Sequence, residues 1–351
     1  MALAIFVIFV FVTGASVGSF LNVSIARLPL EKSLLWPNSR CGACLQSIHW
    51  YDNLPLISYF ILRGRCRTCR QHYSITYFLV ELGTALGFVA LFWLEAVQNV
   101  HGWPGHGAFS RLGNIPGTSW FGFAWHALLF SFLIVASVCD LRSREIPLHL
   151  TLTGTAIGLI GSVLMPWPWP QSLDGINTNP ALPLRQGVYP WPVWLPIPAW
   201  CDGPGTWQTG LATGLIGALV GTFLLRAIGF LFSKGLGKEA LGLGDADLMM
   251  MAGSFLGWQI VVVAFFLSVF PALLFGIIQL VVRKDNSLPF GPSLSLSVMA
   301  TCLAWQPIGN AARPYLFAGE MLIYAAVGGA GLLFVMAFLL KLMRRPEEPQ
   351  P

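Results

Sequence analysis

Two aspartates, Asp140 and Asp245, lie where an apolar segment meets a short polar turn. An ionised carboxylate costs roughly 2.5 kcal/mol or more at mid-bilayer, so one that is kept in such a segment indicates a functional site. Two carboxylates that share one proton can hydrolyse a peptide bond, because the ionised one deprotonates a water molecule while the protonated one polarises the carbonyl group. The pair therefore predicts hydrolysis of the aspartic type.

The local sequence around Asp245 favours this chemistry but does not require it. Asp245 closes the pattern Gly242-Leu243-Gly244-Asp245, and glycines permit unusual backbone angles and the close approach of a substrate strand. The alternative is that each aspartate is a helix N-cap, since aspartate is a favoured cap residue and both precede an apolar run. Caps alone would not account for the pair together with a cysteine-rich loop.

That loop carries two CxxC pairs, Cys41 with Cys44 and Cys66 with Cys69. Four thiolates satisfy the tetrahedral coordination of Zn²⁺. The loop, 26–74, is too short to bury much apolar surface of its own, so a bound metal ion would stabilise its fold. Disulfides are the alternative, but we expect the loop to be cytoplasmic, where thiols stay reduced. The spacing and the compartment together predict a structural zinc site.

The other cysteines and the histidines show no ligand spacing of this kind. We interpret three cysteines as buried apolar residues, namely Cys139, Cys201 and Cys302. His49 and His72 flank the cysteine pairs, where either is an alternative ligand in place of a thiolate. We interpret the remaining four histidines as loop or interfacial residues, and these are His101, His106, His126 and His149.

The composition predicts an integral membrane protein. Of the 351 residues, 55% are hydrophobic and 10% are charged, whereas a soluble domain carries about a quarter charged residues. The net charge of +5 does not indicate a nucleic-acid surface. Its basic residues are scattered among short connections instead of being gathered on one face.

Apolar runs of about 20 residues predict an all-α fold of eight or nine transmembrane helices, with a small zinc-binding loop domain. The predicted spans are 3–25, 75–97, 118–139, 147–165, 209–232, 248–264, 265–282, 294–307 and 319–341. The run 248–282 is too long for one span, and Gly257-Trp258 is a candidate bend in it.

The basic residues predict the orientation of these spans. One alternating set of connections, taken with Arg226, holds 17 of the 20 Lys and Arg residues, and the other set holds three: Arg111, Arg185 and Arg313. Basic residues favour the cytoplasmic side of a membrane. We therefore expect the cysteine loop and both aspartates to face the cytoplasm.

The same patterns divide the chain into four segments. We expect a retained first span at 1–25, a cytoplasmic cysteine loop domain at 26–74, a membrane core at 75–341 and a disordered tail at 342–351. An insert rich in proline and tryptophan, 166–208, interrupts the core. We expect it outside, at the membrane interface, where tryptophan is enriched.

The ordered motifs closely resemble those of the type 4 prepilin leader peptidases, a family of membrane aspartic peptidases. The matching segments run through nearly the whole chain: Gly18 to Val23, Arg27 to Pro29, Ser39 to Cys41 with Cys44, Trp50 to Tyr59, Arg63 to Arg67 with Cys69, Tyr77 to Glu81, Asp140 with Ile146-Pro147, Gly242 to Asp245 with Leu248-Met249, and Pro289 to Pro292.

The resemblance implies a concrete function. Members of the family cut the basic leader from type IV prepilins and from the pseudopilins of type II secretion, at the cytoplasmic face of the bacterial inner membrane. Many of them then methylate the new N-terminus with S-adenosylmethionine. The resemblance implies that Asp140 and Asp245 are the catalytic pair, that the cysteine loop is linked to zinc and to methylation, and that the partners are prepilins and the lipid bilayer.

Two departures from the family pattern and two rival functions remain open at this point. Asp247 stands where the family usually has a lysine, so it brings a negative charge near Asp245 and is an alternative catalytic acid. The insert 166–208 matches no family feature. The rivals are a presenilin-like intramembrane GxGD protease and a zinc-clamped transporter or scaffold without catalysis, in which the aspartates would bind protons or ions.

Overall fold

The computed structural model describes residues 2–101, 113–164, 206–236, 242–283, 290–305 and 307–308, with isolated residues between 311 and 335. These residues form ten α-helices and no β-strand. The helices are α1 (Ala2–Arg27), α2 (Ile57–Leu62), α3 (Thr76–Leu91), α4 (Gly117–Ser143), α5 (Leu148–Leu164), α6 (Trp207–Leu236), α7 (Leu243–Leu256), α8 (Trp258–Leu267), α9 (Val269–Arg283) and α10 (Gly291–Leu303). The all-α prediction is confirmed.

Five stretches of helix in this part of the chain are long and apolar enough to cross a membrane. They are Ala2–Leu30, Thr76–Val97, Ser119–Ser143, Trp207–Lys234 and Trp258–Ile278. The helices α5 and α10 are apolar but shorter. The predicted span 319–341 lies largely outside the described residues, as do most of the insert 166–208 and the tail 342–351. The total of eight or nine spans stays a prediction.

The long apolar run after Asp247 breaks earlier than the predicted boundary at 264/265. Helix α7 ends at Leu256, and Gly257 follows with φ 82° and ψ 172°. Only glycine adopts that conformation readily. The bend therefore lies at Gly257, and the spanning segment begins at Trp258.

The chain forms two compact units. The first comprises Met1–Leu150 and Phe275–Met299, and the second comprises Thr151–Leu274 and Ala300–Pro351. In the first unit α1 packs closely on α3. A Cβ on Gly18 would lie 2.7 Å from the Cα of Glu81. Small residues let membrane helices approach in this way, and the contact holds the start of α3 against the end of α1.

In the second unit α6 packs on α7 through glycines. A Cβ on Gly217 would collide with the carbonyl of Gly253, and one on Gly221 with the carbonyl of Met249. Most of α7 is buried from Ala246 onward. The helix is therefore held firmly where it carries the acidic residues of its first turn.

Candidate functional site

Asp140 lies in the last turn of α4, and only 8% of it is exposed. The following Arg144 adopts a left-handed conformation, with φ 60°, and its N–H donates to the carbonyl of Asp140 at 3.0 Å. Asp140 is therefore near a helix C-terminus, and its interpretation as the N-cap of α5 is wrong. Its Oδ2 instead accepts a hydrogen bond of 2.9 Å from the N–H of Gly291, the first residue of α10.

Gly291 is required for this contact. A Cβ at position 291 would lie 2.8 Å from Oδ2 of Asp140 and 3.2 Å from its Cγ. Real Cβ atoms essentially never lie within 3.0 Å of another heavy atom, so a side chain at this position would displace the carboxylate. The motif Phe290-Gly291-Pro292 thus brings a bare backbone N–H to a buried carboxylate.

Asp245 lies in the first turn of α7, in the second unit. Gly242 is the N-cap, with extended backbone angles and no side-chain cap bond. Asp245 therefore occupies the third helical position and is not the N-cap, which corrects the second cap interpretation. A carboxylate in the first turn is favoured by the helix dipole. Asp245 is half-buried, so solvent reaches it, as the activation of a water molecule requires.

Asp247 has a partner of opposite charge. Its Oδ1 lies 3.1 Å from Nη2 of Arg226, which projects from α6. The negative charge that stands where the family has a lysine is therefore balanced within the same unit. This ion pair argues against Asp247 as an alternative catalytic acid.

The four cysteines of the loop come together as predicted. Their Sγ atoms all lie within 4.8 Å of one another, and the Sγ atoms of Cys41 and Cys69 are 3.7 Å apart. A zinc ion with bonds of about 2.3 Å to four tetrahedral sulfurs has sulfur–sulfur edges of about 3.8 Å. All four cysteines are free thiols. The cluster can hold zinc, and the disulfide alternative is wrong.

Two turns of the same geometry present these thiols. In each turn the N–H of the first cysteine donates to the carbonyl of a glutamine five residues on, and the N–H of the residue before that glutamine donates to the cysteine carbonyl. The residues are Cys41, Leu45 and Gln46 in one turn and Cys66, Arg70 and Gln71 in the other. The pattern Arg-Cys-x-x-Cys-x-Gln, at Arg40–Gln46 and Arg65–Gln71, is therefore a short sequence repeat with a shared turn geometry.

The backbone of the first turn prepares a thiolate. The N–H groups of Cys44 and Ala43 hydrogen-bond to the sulfur of Cys41 and lower its pKa to about 6. The pKa of Cys69 is raised to about 11: the N–H of Gln71 acts to lower it, but desolvation and the neighbouring thiols outweigh that effect. The thiol of Cys41 is therefore ionised at neutral pH, while that of Cys69 holds its proton. A bound metal cation would displace the proton of Cys69.

An ion pair ties the second cysteine turn to the short helical turn Trp50–Asp52 that precedes it. Nε and Nη2 of Arg67 donate to the carboxylate of Asp52 at 2.8 and 2.5 Å, and the guanidinium holds the pKa of that carboxyl below its usual range. His49 stacks on Tyr51 with ring centroids 5.1 Å apart. The metal-ligand cluster comprises the four cysteines without His49 or His72, so the histidine alternative is not supported.

A cavity of about 630 Å³ opens between the cysteine turns, the end of α1 and the start of α3. Small-molecule sites typically measure about 300 to 1,000 Å³. Glu81 lines the cavity, and its Oε2 accepts a hydrogen bond of 2.7 Å from the N–H of Leu56. Aromatic side chains line it as well, including Tyr59, Tyr73 and Phe78.

The remaining cysteines and histidines were predicted to be buried apolar residues and loop or interfacial residues, respectively. Cys139 and Cys302 are buried, as expected. His101 lies in a turn, as expected of a loop residue, whereas His126 was expected in a loop or at the interface and lies within α4. Both are buried and contact Glu95. No local pattern indicates this contact, because Glu95 ends an apolar run and its partners are 6 and 31 residues away. Cys201 and His106 lie outside the described residues.

The helices, the carboxylates at helix ends and the four-thiol cluster define a multi-pass membrane protein with a loop that can hold a metal ion. Residues 12–94 match the bacterial peptidase A24 N-terminal domain, and residues 189–277 match the type IV leader peptidase family. The first range contains the four cysteines and the second contains Asp245. Asp140 and Gly291 lie outside both.

Similar proteins carry the name prepilin leader peptidase/N-methyltransferase. The protein of Pectobacterium carotovorum is 31% identical over 81% of this chain and 88% of its own length. That of Pseudomonas putida is 29% identical over 84% and 89%. That of Myxococcus xanthus is 31% identical over 73% of this chain, which spans 57% of its length. No solved structure matches significantly. The chain belongs to the type IV leader peptidase family.

Proposed function

We propose that this protein is a membrane aspartic endopeptidase that removes the leader from type IV prepilins or type II secretion pseudopilins and N-methylates the new N-terminus. The named relatives support the reaction class. The observation that carries the proposal is Asp140, a carboxylate that is buried at a helix end and oriented by the N–H of Gly291.

Asp140 and Asp245 are the proposed catalytic residues. In the reaction the two carboxylates share one proton: the ionised one deprotonates water and the protonated one polarises the scissile carbonyl. The burial of Asp140 and the partial exposure of Asp245 support different environments for the two acids. Different environments are how a pair of carboxylates divides such roles.

The proposed location is the bacterial inner membrane, with the cysteine loop and both aspartates facing the cytoplasm. The distribution of Lys and Arg supports this orientation. A substrate with a short basic leader would then meet the enzyme on the side of the membrane where it is made.

Zinc is the proposed structural metal, held by Cys41, Cys44, Cys66 and Cys69. The sulfur spacing and the lowered pKa of Cys41 support the fit. When bound, zinc would hold together two turns that have little core between them.

S-adenosylmethionine is the proposed methyl donor, and it supplies an electrophilic methyl group when bound. The cavity beside the cysteine turns has a suitable volume, and its residues fit the group. Glu81 offers a carboxylate for a cationic ligand, and the tyrosines offer π faces for a ring or a sulfonium.

Cleavage of a prepilin by the full-length protein, purified in detergent, tests the peptidase. Asp140→Asn and Asp245→Asn should each lower the cleavage rate by about 10²-fold or more, since a positioned acid or base contributes typically ~10²–10⁴-fold. Asp247→Asn is the matched control and should still cleave. Normal cleavage by either of the first two variants would overturn the assignment.

The same assay separates the rival functions. A transporter or scaffold would leave the prepilin intact. A presenilin-like protease would cut inside the apolar segment of the substrate and not at the leader junction, which mass spectrometry of the products distinguishes. Labelled methyl on the new N-terminus tests the transferase, and its absence would remove that half of the proposal.

A further inference from the structure

We propose that Glu95, His101 and His126 form a second metal site, separate from the four cysteines, that takes a divalent transition-metal ion such as Zn²⁺. All three residues belong to the first unit. Neither the catalytic proposal nor the methyl-transfer proposal uses them.

The three side chains converge on one point. Oε1 of Glu95 lies 2.7 Å from Nδ1 of His126 and 3.2 Å from Nε2 of His101. The two imidazole rings have centroids 5.3 Å apart. One ligand atom from each residue lies within 4.8 Å of the others, a spacing that small shifts convert into a shared coordination sphere.

Hydrogen bonding alone leaves this cluster incomplete. Glu95 is fully buried, and both imidazoles contact the same carboxylate oxygen. The other oxygen, Oε2, has no hydrogen-bond partner among the described residues. Buried polar atoms nearly always have a partner. A cation seated between the three side chains would contact the carboxylate and both imidazoles.

The charge of the cluster also favours a bound cation. A carboxylate buried in a spanning segment needs a compensating charge, and an imidazole supplies one only when it is protonated. A divalent ion supplies it and also suits the donors, since two histidines with one glutamate are a known ligand set for zinc.

The backbone around Glu95 is also unusual. The α-helical pattern of α3 changes at Phe92 to a π-helical turn, Phe92–Val97, with Glu95 inside it. Such turns are rare and appear frequently at functional sites. The wider turn alters the direction of the side chains that follow Leu91, among them Glu95.

The proposed site is remote from the four-cysteine loop. Glu95 follows Glu81 by 14 residues on one continuous helix, which corresponds to about 21 Å at 1.5 Å per residue. The two metal sites should therefore fill and empty independently.

Metal content tests the inference directly. The full-length protein is purified in detergent, stripped with a chelator, reloaded with zinc and analysed for zinc per chain. We expect two zinc ions in the unaltered protein and one in Glu95→Gln or His126→Gln. We also expect one in Cys41→Ser with Cys44→Ser, and none when the two sets are combined. His149→Gln, which alters an exposed histidine of α5, is the matched control and should keep two.

Cobalt spectra show whether a variant still folds. The thiolate-to-cobalt charge-transfer band should persist in Glu95→Gln, because the cysteine loop is intact, while the weaker bands of a nitrogen and oxygen site disappear. X-ray absorption at the zinc edge of the unaltered protein needs no variant and should show sulfur together with nitrogen or oxygen. One zinc per chain with a purely sulfur shell, or two that do not depend on Glu95, would overturn the proposal.

Discussion

The carboxylate of Asp140 accepts a hydrogen bond from the backbone N–H of Gly291, 151 residues later in the chain. The first N–H groups of a helix have no partner within the helix, so the start of α10 offers a donor that a carboxylate can use. The end of one apolar helix and the start of another thereby hold the acid proposed to be catalytic.

The first prediction concerns this contact. Gly291→Ala should lower the rate of prepilin cleavage by about 10-fold or more and destabilise the protein by roughly 1–3 kcal/mol, because the added methyl overpacks a full site. A Cβ at 291 meets Oδ2 of Asp140 at 2.8 Å. Cleavage kinetics and thermal unfolding in detergent measure the two effects.

Gly83→Ala is the matched control for that experiment. No atom lies within 4 Å of a Cβ built at Gly83 in α3, and alanine is the better helix former by about 1 kcal/mol. The control should therefore keep its activity and should be at least as stable as the unaltered protein. If the two variants cleave prepilin at the same rate and unfold at the same temperature, the contact between Asp140 and Gly291 contributes neither to activity nor to stability.

The second prediction concerns the ion pair between Arg226 and Asp247. Arg226→Met should destabilise the protein by about 1–3 kcal/mol, because it leaves a buried carboxylate without its partner. The added change Asp247→Asn should recover part of that loss. Because Arg226 is more than half exposed, the pair itself contributes only about 0–1 kcal/mol.

A double-mutant cycle of unfolding free energies measures this coupling. An interaction of about 0.5 kcal/mol or more between the two sites is expected for residues in contact. Strict additivity would mean that Arg226 does not neutralise Asp247.

The third prediction concerns Asp52 and its effect on zinc. Asp52→Asn should weaken zinc binding by about 10-fold, the lower end of the ~10–100-fold typical of residues that support metal ligands. The pKa of Asp52 lies below its usual value of 3.8. The stabilisation is therefore present above that value and is lost only as the pH falls through the lower folded pKa.

Chelator competition at pH 6, 7 and 8 checks the sign of this effect. Both proteins should lose affinity together as the thiols protonate, and the ratio of their affinities should stay constant. A ratio that shrinks between pH 8 and pH 6 would contradict the lowered pKa of Asp52.

The fourth prediction separates methylation from cleavage. Glu81→Gln should weaken the binding of S-adenosylmethionine by about 10–100-fold, since a hydrogen bond to a charged group contributes about 1.5–3 kcal/mol. The amide oxygen of glutamine can still accept the N–H of Leu56, so the fold should persist. Cleaved but unmethylated product, measured by mass spectrometry, is the expected result.

Glu31→Gln, which alters an exposed carboxylate near the end of α1, serves as the control and should methylate normally. Parallel loss of cleavage and methylation in Glu81→Gln would indicate a general structural defect. That result would also contradict the proposal that S-adenosylmethionine binds in this cavity.

Much of the membrane fold and of the zinc site was predictable because the signals are local. An apolar run and a CxxC turn each depend on residues within a few positions of one another. The bend at Gly257 was anticipated as well, although the boundary between the two spans was placed too late. The position of that boundary depends on one residue, Gly257, whose φ is positive.

The contacts between distant segments were not predictable. The cap interpretation failed for both aspartates, because the place of each within its helix depends on where that helix begins or ends. Asp247 appeared as an unbalanced charge until α6 brought Arg226 beside it. His101 and His126 had no ligand spacing along the chain, since their partner Glu95 is a neighbour only after the helices pack.

The sequence by itself determined the class of protein, its membrane segments and the four thiols, because hydropathy and short spacing act within single segments. Only the tertiary structure decided the partners of Asp140, Asp247 and Glu95. Each of these carboxylates is buried or nearly so, and a buried charge must find its partner wherever packing places one.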